Sequence, residues 1–154
     1  MSIDDRLADL GIALPEPAAP VAAYVPAVEI GGLLHISGQI SFAEDGSLIT
    51  GRLGESLNVE RGQHAARRCG IMLLAQIRKA LGSLDRVERI VKLGVFVNSD
   101  PSFTDQPKVA NGASELMQDV FGEAGRHARS AVGVPTLPLG VAVEVDAIVA
   151  IRPE

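Results

Sequence analysis

The chain has 154 residues, 47% of them apolar, enough for one domain with its own core and too little for two. Acidic side chains outnumber basic ones by 19 to 14, for a formal charge of −5 with no basic block, which argues against a nucleic-acid module built on clustered Lys and Arg. The single cysteine, Cys69, excludes an intrachain disulfide and a cysteine-based metal cage, no apolar run approaches the ~20 residues of a membrane span, and a soluble cytoplasmic protein is expected.

Ser2 is placed to cap a short helix over Ile3 to Leu10, ended by Gly11. Pro15, Pro17 and Pro20 then mark a surface linker, so residues 1–20 are expected to form a segment of their own ahead of a domain over 21–154. From Tyr24 to Gln39 two short strands flank Gly31-Gly32, a hairpin signal. Asn58 is a good N-cap for a long helix whose stripe, Ala66, Gly70, Leu73, Leu74, Ile77 and Leu81, runs to Gly82. Its Arg61, Arg67, Arg68, Arg78 and Lys79 read as a solvated face.

Ile90 to Val97 alternates as a strand, with Val91, Leu93, Val95 and Val97 on one side. Pro107 sits in the first turn of a second helix with the stripe Val109, Ala113, Leu116 and Val120, stopped by Gly122. His127 to Val134 and Val141 to Val149, joined by a Pro-Thr-Leu-Pro-Leu-Gly turn, read as a closing hairpin. The order β-β-α-β-α-β-β predicts an α+β domain.

Two helices cover only one face of such a sheet. Val91/Leu93/Val95, Val132/Val134 and Val143/Val145/Ala147 are the expected helix-facing sets. The opposite parity collects Lys92, Gly94, Phe96, Arg129, Ala131, Gly133, Ala142, Glu144, Asp146 and Ile148, joined by His35 and Ser37 if Leu34 and Ile36 face the helices. That face is too apolar to stay wet and too charged for a plain core, which predicts a homo-oligomer with polar clefts between subunits, Lys92 and Asp146 being candidate structural partners. Arg129 reads either as a ligand clamp or as an ion pair with Glu144 or Asp146 across the hairpin or interface.

Tyr24, Ser37-Gly38-Gln39, Asn111, Ala128-Arg129-Ser130, Leu137-Pro138 and Val143-Glu144-Val145, in this order and spacing, resemble the reactive-intermediate deaminases, the YjgF-like group also labelled L-PSP endoribonuclease. The likeness runs from about Tyr24 to Ile151. It implies a chorismate-mutase-like α+β fold, one mixed sheet with two helices on one face, and a homotrimer with three inter-subunit clefts. It also implies cofactor-independent, metal-independent hydrolysis of small enamines and imines, such as 2-aminoacrylate, to 2-keto acids and ammonia. Carried over, Arg129 clamps the substrate carboxylate, Glu144 holds or activates water, Gly38 and Ala131 offer backbone N–H groups, and Tyr24, Ser37, Asn111 and Phe96 bind or shape the cleft. Ala131 stands where these deaminases often have Cys, which excludes a thiol role but keeps a backbone donor. Some branches of the group lack this activity, and the long form with this His127 to Val134 wording resembles such a branch.

The residue types suit that chemistry. A guanidinium gives a carboxylate two parallel charge-assisted bonds, and a partly buried Glu has a proton affinity suited to a base. His35, His64 and His127 lack metal-site spacing, Ser37 has no Ser-His-Asp context, and Cys69 reads as a core filler. Two other classes stay open: a non-catalytic small-carboxylate binder or sensor using the same cleft, and, fitting less well, an endoribonuclease. The expected partners are a small imino or keto acid and copies of the chain itself, not nucleic acid or membrane.

Overall fold

The computed structural model describes residues 1–20 and 22–154. Ser2 and Asp5 close a reciprocal capping box on α1 (Ile3–Asp9). The hairpin of β1 (Ala27–Ile30) and β2 (Leu33–Ile40) turns on Gly31 and Gly32, whose φ of 59° and 77° are the left-handed values a tight two-residue turn requires. The Asn58 side chain accepts from the Arg61 N–H at the start of α2 (Val59–Leu81), and left-handed Gly82 ends it. β3 (Val87–Asn98), α3 (Gln106–Phe121), β4 (Ala128–Val134) and β5 (Val143–Ile151) complete the chain.

Among the described residues five strands form one mixed sheet in the order β1-β2-β5-β3-β4. β3 is parallel to β4, while the other pairs are antiparallel. α2 and α3 lie together on one face, where Leu73, Leu74, Ile77, Leu116 and Met117 bury against Leu93, Val95, Val143 and Val145. Each such side chain contributes about 1.5–3 kcal/mol of apolar burial. α2 and α3 approach closely through glycine: a Cβ at Gly112 would strike the Gln63 carbonyl oxygen, and one at Gly62 would lie 2.9 Å from Val109 Cγ2.

Three expectations change. β4 and β5 are not a hairpin, because the long central strand β3 lies between them and the Pro135–Ala142 connection passes over its end. The parity of β4 is reversed: pairing Leu93 with Arg129, Val95 with Ala131 and Val97 with Gly133 turns these small residues and Arg129 toward α3, leaving Val132 on the open face, 46% exposed. A bulge between Ile90 and Lys92 puts Ile90 in the core in place of Val91, which is exposed. In β5 the alternation holds throughout, with Glu144, Asp146 and Ile148 opposite the buried Val143, Val145 and Ala147. Leu34 and Ile36 are buried, so His35 lies on the open face.

The basic residues of α2 are less solvated than their spacing implied. Arg67, Arg68 and Arg78 reach Asp119, Glu44 and Asp4, and the Arg68 Nε donates to the Phe42 carbonyl at 2.8 Å. The N-terminal segment is docked: Leu7 is buried, the Arg6 Nε donates to the Asp119 carbonyl on α3, and Lys79 Nζ donates to the carbonyl of buried Pro17.

The helix pair depends on the absent Cβ of Gly112, so Gly112→Ala is expected to destabilise the fold by ~1–3 kcal/mol, read as a lower urea midpoint. An unchanged midpoint would mean that the contact with Gln63 relaxes freely.

Candidate active site

The sequence-predicted residues divide between two places at opposite edges of the sheet. At the β2 edge the ladder with β5 slips between Ile36 and Gln39, and the bulge brings Gly38 against Glu144. A Cβ at Gly38 would run into Oε2 of Glu144 and lie 2.9 Å from its Cδ, so only glycine admits the carboxylate here. Glu144 lines a cavity of about 310 Å³ with Tyr24, Gly38, Gln39, Gln76 and Pro138, and Pro17, Ala18 and Pro20 form one of its walls. The proline-rich segment is therefore part of the site's lining as well as a surface connection.

Burial, then the like charge of Asp146, raises the proton affinity of Glu144 above that of an ordinary carboxylate. Asp146 is raised by burial too, against the opposing pull of a backbone hydrogen bond from Gly94 and the charge of Lys92. Cys69 is fully buried, its Sγ donates to the Val143 carbonyl at 3.3 Å, and burial followed by the charge of Glu144 holds the thiol protonated.

At the β4 edge Arg129 points to α3. Its Nη1 donates to Asn111 Oδ1 at 2.8 Å and to Ser114 Oγ at 3.1 Å. A second cavity of about 220 Å³ is lined by these three residues with Gln118, Arg126 and His127. Burial, the leading cause, lowers the proton affinity of His127, which keeps it neutral near pH 7. Among the described residues no carboxylate lies within 4 Å of Arg129, so the ion pair with Glu144 or Asp146 considered from the sequence does not form within the chain.

Arg129 and Glu144 are far apart in one chain. With Leu93 opposite Arg129 and Phe96 opposite Glu144, they are separated by β3 and by three positions along it, roughly 14 Å between Cα atoms on standard strand spacings. Their side chains also leave opposite faces.

The remaining predicted residues have mixed placements. Ser37 Oγ donates to the Val25 carbonyl at 2.9 Å and its N–H to the Pro26 carbonyl, tying down the chain that carries Tyr24. Phe96 stands on the open face beside Glu144 and lines neither cavity. Ala131 packs against the core under α3, and its strand β4 is an edge strand with backbone groups free on its outer side. Ser114 and Gln76 were not singled out from the sequence, and Gln39 entered only as part of the Ser37-Gly38-Gln39 motif, with no role of its own. Ser114 follows Asn111 by three positions on one helix face, and Gln76 interrupts an apolar stripe; both are legible signals. No cluster of three or more His, Cys, Asp or Glu side chains suited to a metal occurs among the described residues, and no helix there is long and apolar enough to cross a membrane.

A mixed five-stranded sheet backed by two helices, with an arginine on an edge strand and a glycine-seated glutamate on the middle strand, β5, defines a class of α+β proteins. The chain belongs to the family described as "YjgF/chorismate_mutase-like, putative endoribonuclease", matched over residues 4–149. It is 58% identical over 145 residues to protein TCP17 of Trypanosoma cruzi, covering 94% of this chain and 91% of that one. It is 28% identical to a 2-iminobutanoate/2-iminopropanoate deaminase of Dermatophagoides farinae, with 92% and 95% covered. A crystal structure from Agrobacterium tumefaciens, of a protein of unknown function, superposes with a TM-score of 0.89 at 44% identity, over 98% of this chain and 94% of that one.

Because Asn111 and Ser114 are neutral acceptors that aim Arg129 without neutralising it, Asn111→Ala is expected to cost little stability in urea unfolding and, if Arg129 takes a small carboxylate, to weaken that binding by about five- to ten-fold in calorimetry with 2-ketobutyrate as the probe. Unchanged affinity would show that Arg129 is aimed by other means.

Proposed function

We propose that the two half-sites come together between neighbouring copies of the chain in a homotrimer, where they hydrolyse small imines and enamines of 2-amino acids to 2-keto acids and ammonia. The carrying observation is that Arg129 is oriented by a neutral amide and a hydroxyl, with its charge left for a ligand carboxylate. The open sheet face supports assembly, since Val28, Ile30 and Val132 are 50%, 66% and 46% exposed and would be covered by another copy. The deaminase relative supports the reaction class.

In this reading Arg129 of one copy fixes the substrate carboxylate by two parallel N–H···O bonds. Glu144 of the next takes a proton from water as the oxygen adds to the imine carbon and passes it to nitrogen. It then takes the hydroxyl proton of the resulting carbinolamine and delivers it to the same nitrogen as the carbon–nitrogen bond breaks and ammonia leaves. An enamine first becomes the imine by moving a proton from nitrogen to its methylene carbon. Carbon–oxygen bond formation and carbon–nitrogen cleavage balance with one water consumed, and the imine is electrophilic enough for positioning and one base to suffice. In this reading the backbone N–H groups of Gly38 and Ala131 serve the carboxylate or the adjacent oxygen, Tyr24 borders the cleft, and Phe96 buttresses Glu144 from the neighbouring strand.

With 2-aminoacrylate generated enzymatically, Glu144→Gln is expected to lower kcat by ~10²–10⁴-fold, and Arg129→Ala to lower kcat/KM chiefly through KM. Full activity in Arg129→Ala would remove the clamp from the mechanism. The raised proton affinity of Glu144 fixes the sign of the pH dependence. Below its pKa the base is protonated and idle, so kcat/KM falls with acid through a pKa above the usual carboxylate range. Asp146→Asn removes the like charge and moves this limb to lower pH; a limb that stays in place would assign it to another group.

A further inference from the structure

The inner end of the β2-edge cavity carries chemistry that a three-carbon acid leaves unused. At about 310 Å³ the cavity has the volume of pockets for ligands well beyond pyruvate in size. Its inner wall holds two amides. Gln76 is 6% exposed and sits on α2 among Leu73, Leu74 and Ile77. Its Nε2 donates a long 3.3 Å bond to Gln39 Oε1, and Gln39 Nε2 donates to the Ser37 carbonyl at 2.9 Å. Among the described residues nothing donates to Gln76 Oε1, and the second N–H of each amide has no acceptor. No buried side-chain atom is left without a partner among the described residues, so the unpaired Gln76 Oε1 is open to the cavity, which Pro17, Ala18 and Met72 line together with Tyr24 and Glu144.

We propose that Gln39 and Gln76 form a side-chain subsite that selects imino acids bearing a short uncharged amide. The proposal rests on the imine reading of the cleft and names its substrate class. A carboxamide has one acceptor and two donors in a plane, so it pairs with a glutamine amide through two parallel N–H···O bonds. A hydrocarbon side chain of the same shape leaves both glutamines idle, and a side-chain carboxylate meets the negative charge of Glu144. Discrimination against the apolar isostere comes from those unpaired amides, the situation in which binding sites reject analogues most strongly.

Asparagine and leucine side chains are near-isosteres, so they supply the test. Imines generated from L-asparagine, L-leucine and L-alanine by an amino-acid oxidase are assayed for hydrolysis. The stable keto acids 2-ketosuccinamate, 4-methyl-2-ketopentanoate and pyruvate are titrated calorimetrically. The amide-bearing member of each series is expected to be favoured over its isostere by about ten-fold or more, and Gln76→Leu to bring that ratio to about one. Ala18→Phe, a change on the outer wall, is expected to weaken both four-carbon-plus ligands relative to pyruvate and serves if Gln76→Leu does not fold. Equal affinities for the two isosteres in the unmodified protein, or a ratio unchanged in a folded Gln76→Leu, overturn the subsite. A preference in binding without hydrolysis of any imine keeps the subsite and overturns the hydrolase reading alone.

Discussion

The register of β3 with its two neighbours is the constraint on which the site depends. Leu93 stands opposite Arg129 and Phe96 opposite Glu144, so one ladder turns the arginine toward α3 and the other turns the glutamate toward the open face. A slip of one residue in either ladder would reverse this and expose one face of the core, which is why the register is firmly held. The β4 connection reinforces it by carrying the chain past the end of β3 to the far side of the sheet. In the proposed reading a single copy therefore carries two halves of a site that only a neighbour completes.

Each half is prepared by a different means. Arg129 is oriented by hydrogen bonds it donates to groups that carry no charge, so its position is fixed while its electrostatic demand is left open. Glu144 is prepared by its surroundings: partial burial, a neighbouring carboxylate, and a glycine that lets it approach the β2 backbone. Such opposed settings, one cation awaiting an anion and one carboxylate with raised proton affinity, are what a reaction on a small carboxylate substrate needs.

Much of this was legible in the chain. The period-2 pattern of β5, the caps Asn58 and Gly82, the Gly31-Gly32 turn and the stripes of α2 and α3 are strong local signals, and each agrees with the tertiary structure. β4 was not legible, because Arg129, Ala131 and Gly133 are small or polar enough to sit under α3 while Val132 is left outside; valine marks a strand but not its buried side. The apparent hairpin of β4 and β5 failed for a related reason, as proximity in sequence carries no information about a strand inserted between them. The proline-rich segment, read as a connection, became a cavity wall through long-range contacts such as that of Lys79 with Pro17. Gln39 and Gln76 meet only after the β2 bulge turns Gln39 toward α2, a displacement that no local pattern announces.

The division of the site between copies is tested most directly by complementation. At substrate concentrations well below the KM of Arg129→Ala, the Arg129→Ala and Glu144→Gln chains are each expected to show little activity alone if the cleft needs both groups. When the two variants are unfolded, mixed in equal amounts and refolded together, about a quarter of the clefts in randomly assembled cyclic oligomers receive an intact arginine from one copy and an intact glutamate from the next. Recovery of about that fraction of the unmodified activity on 2-aminoacrylate is expected. Mixed oligomers no more active than their parents would contradict a site shared between copies.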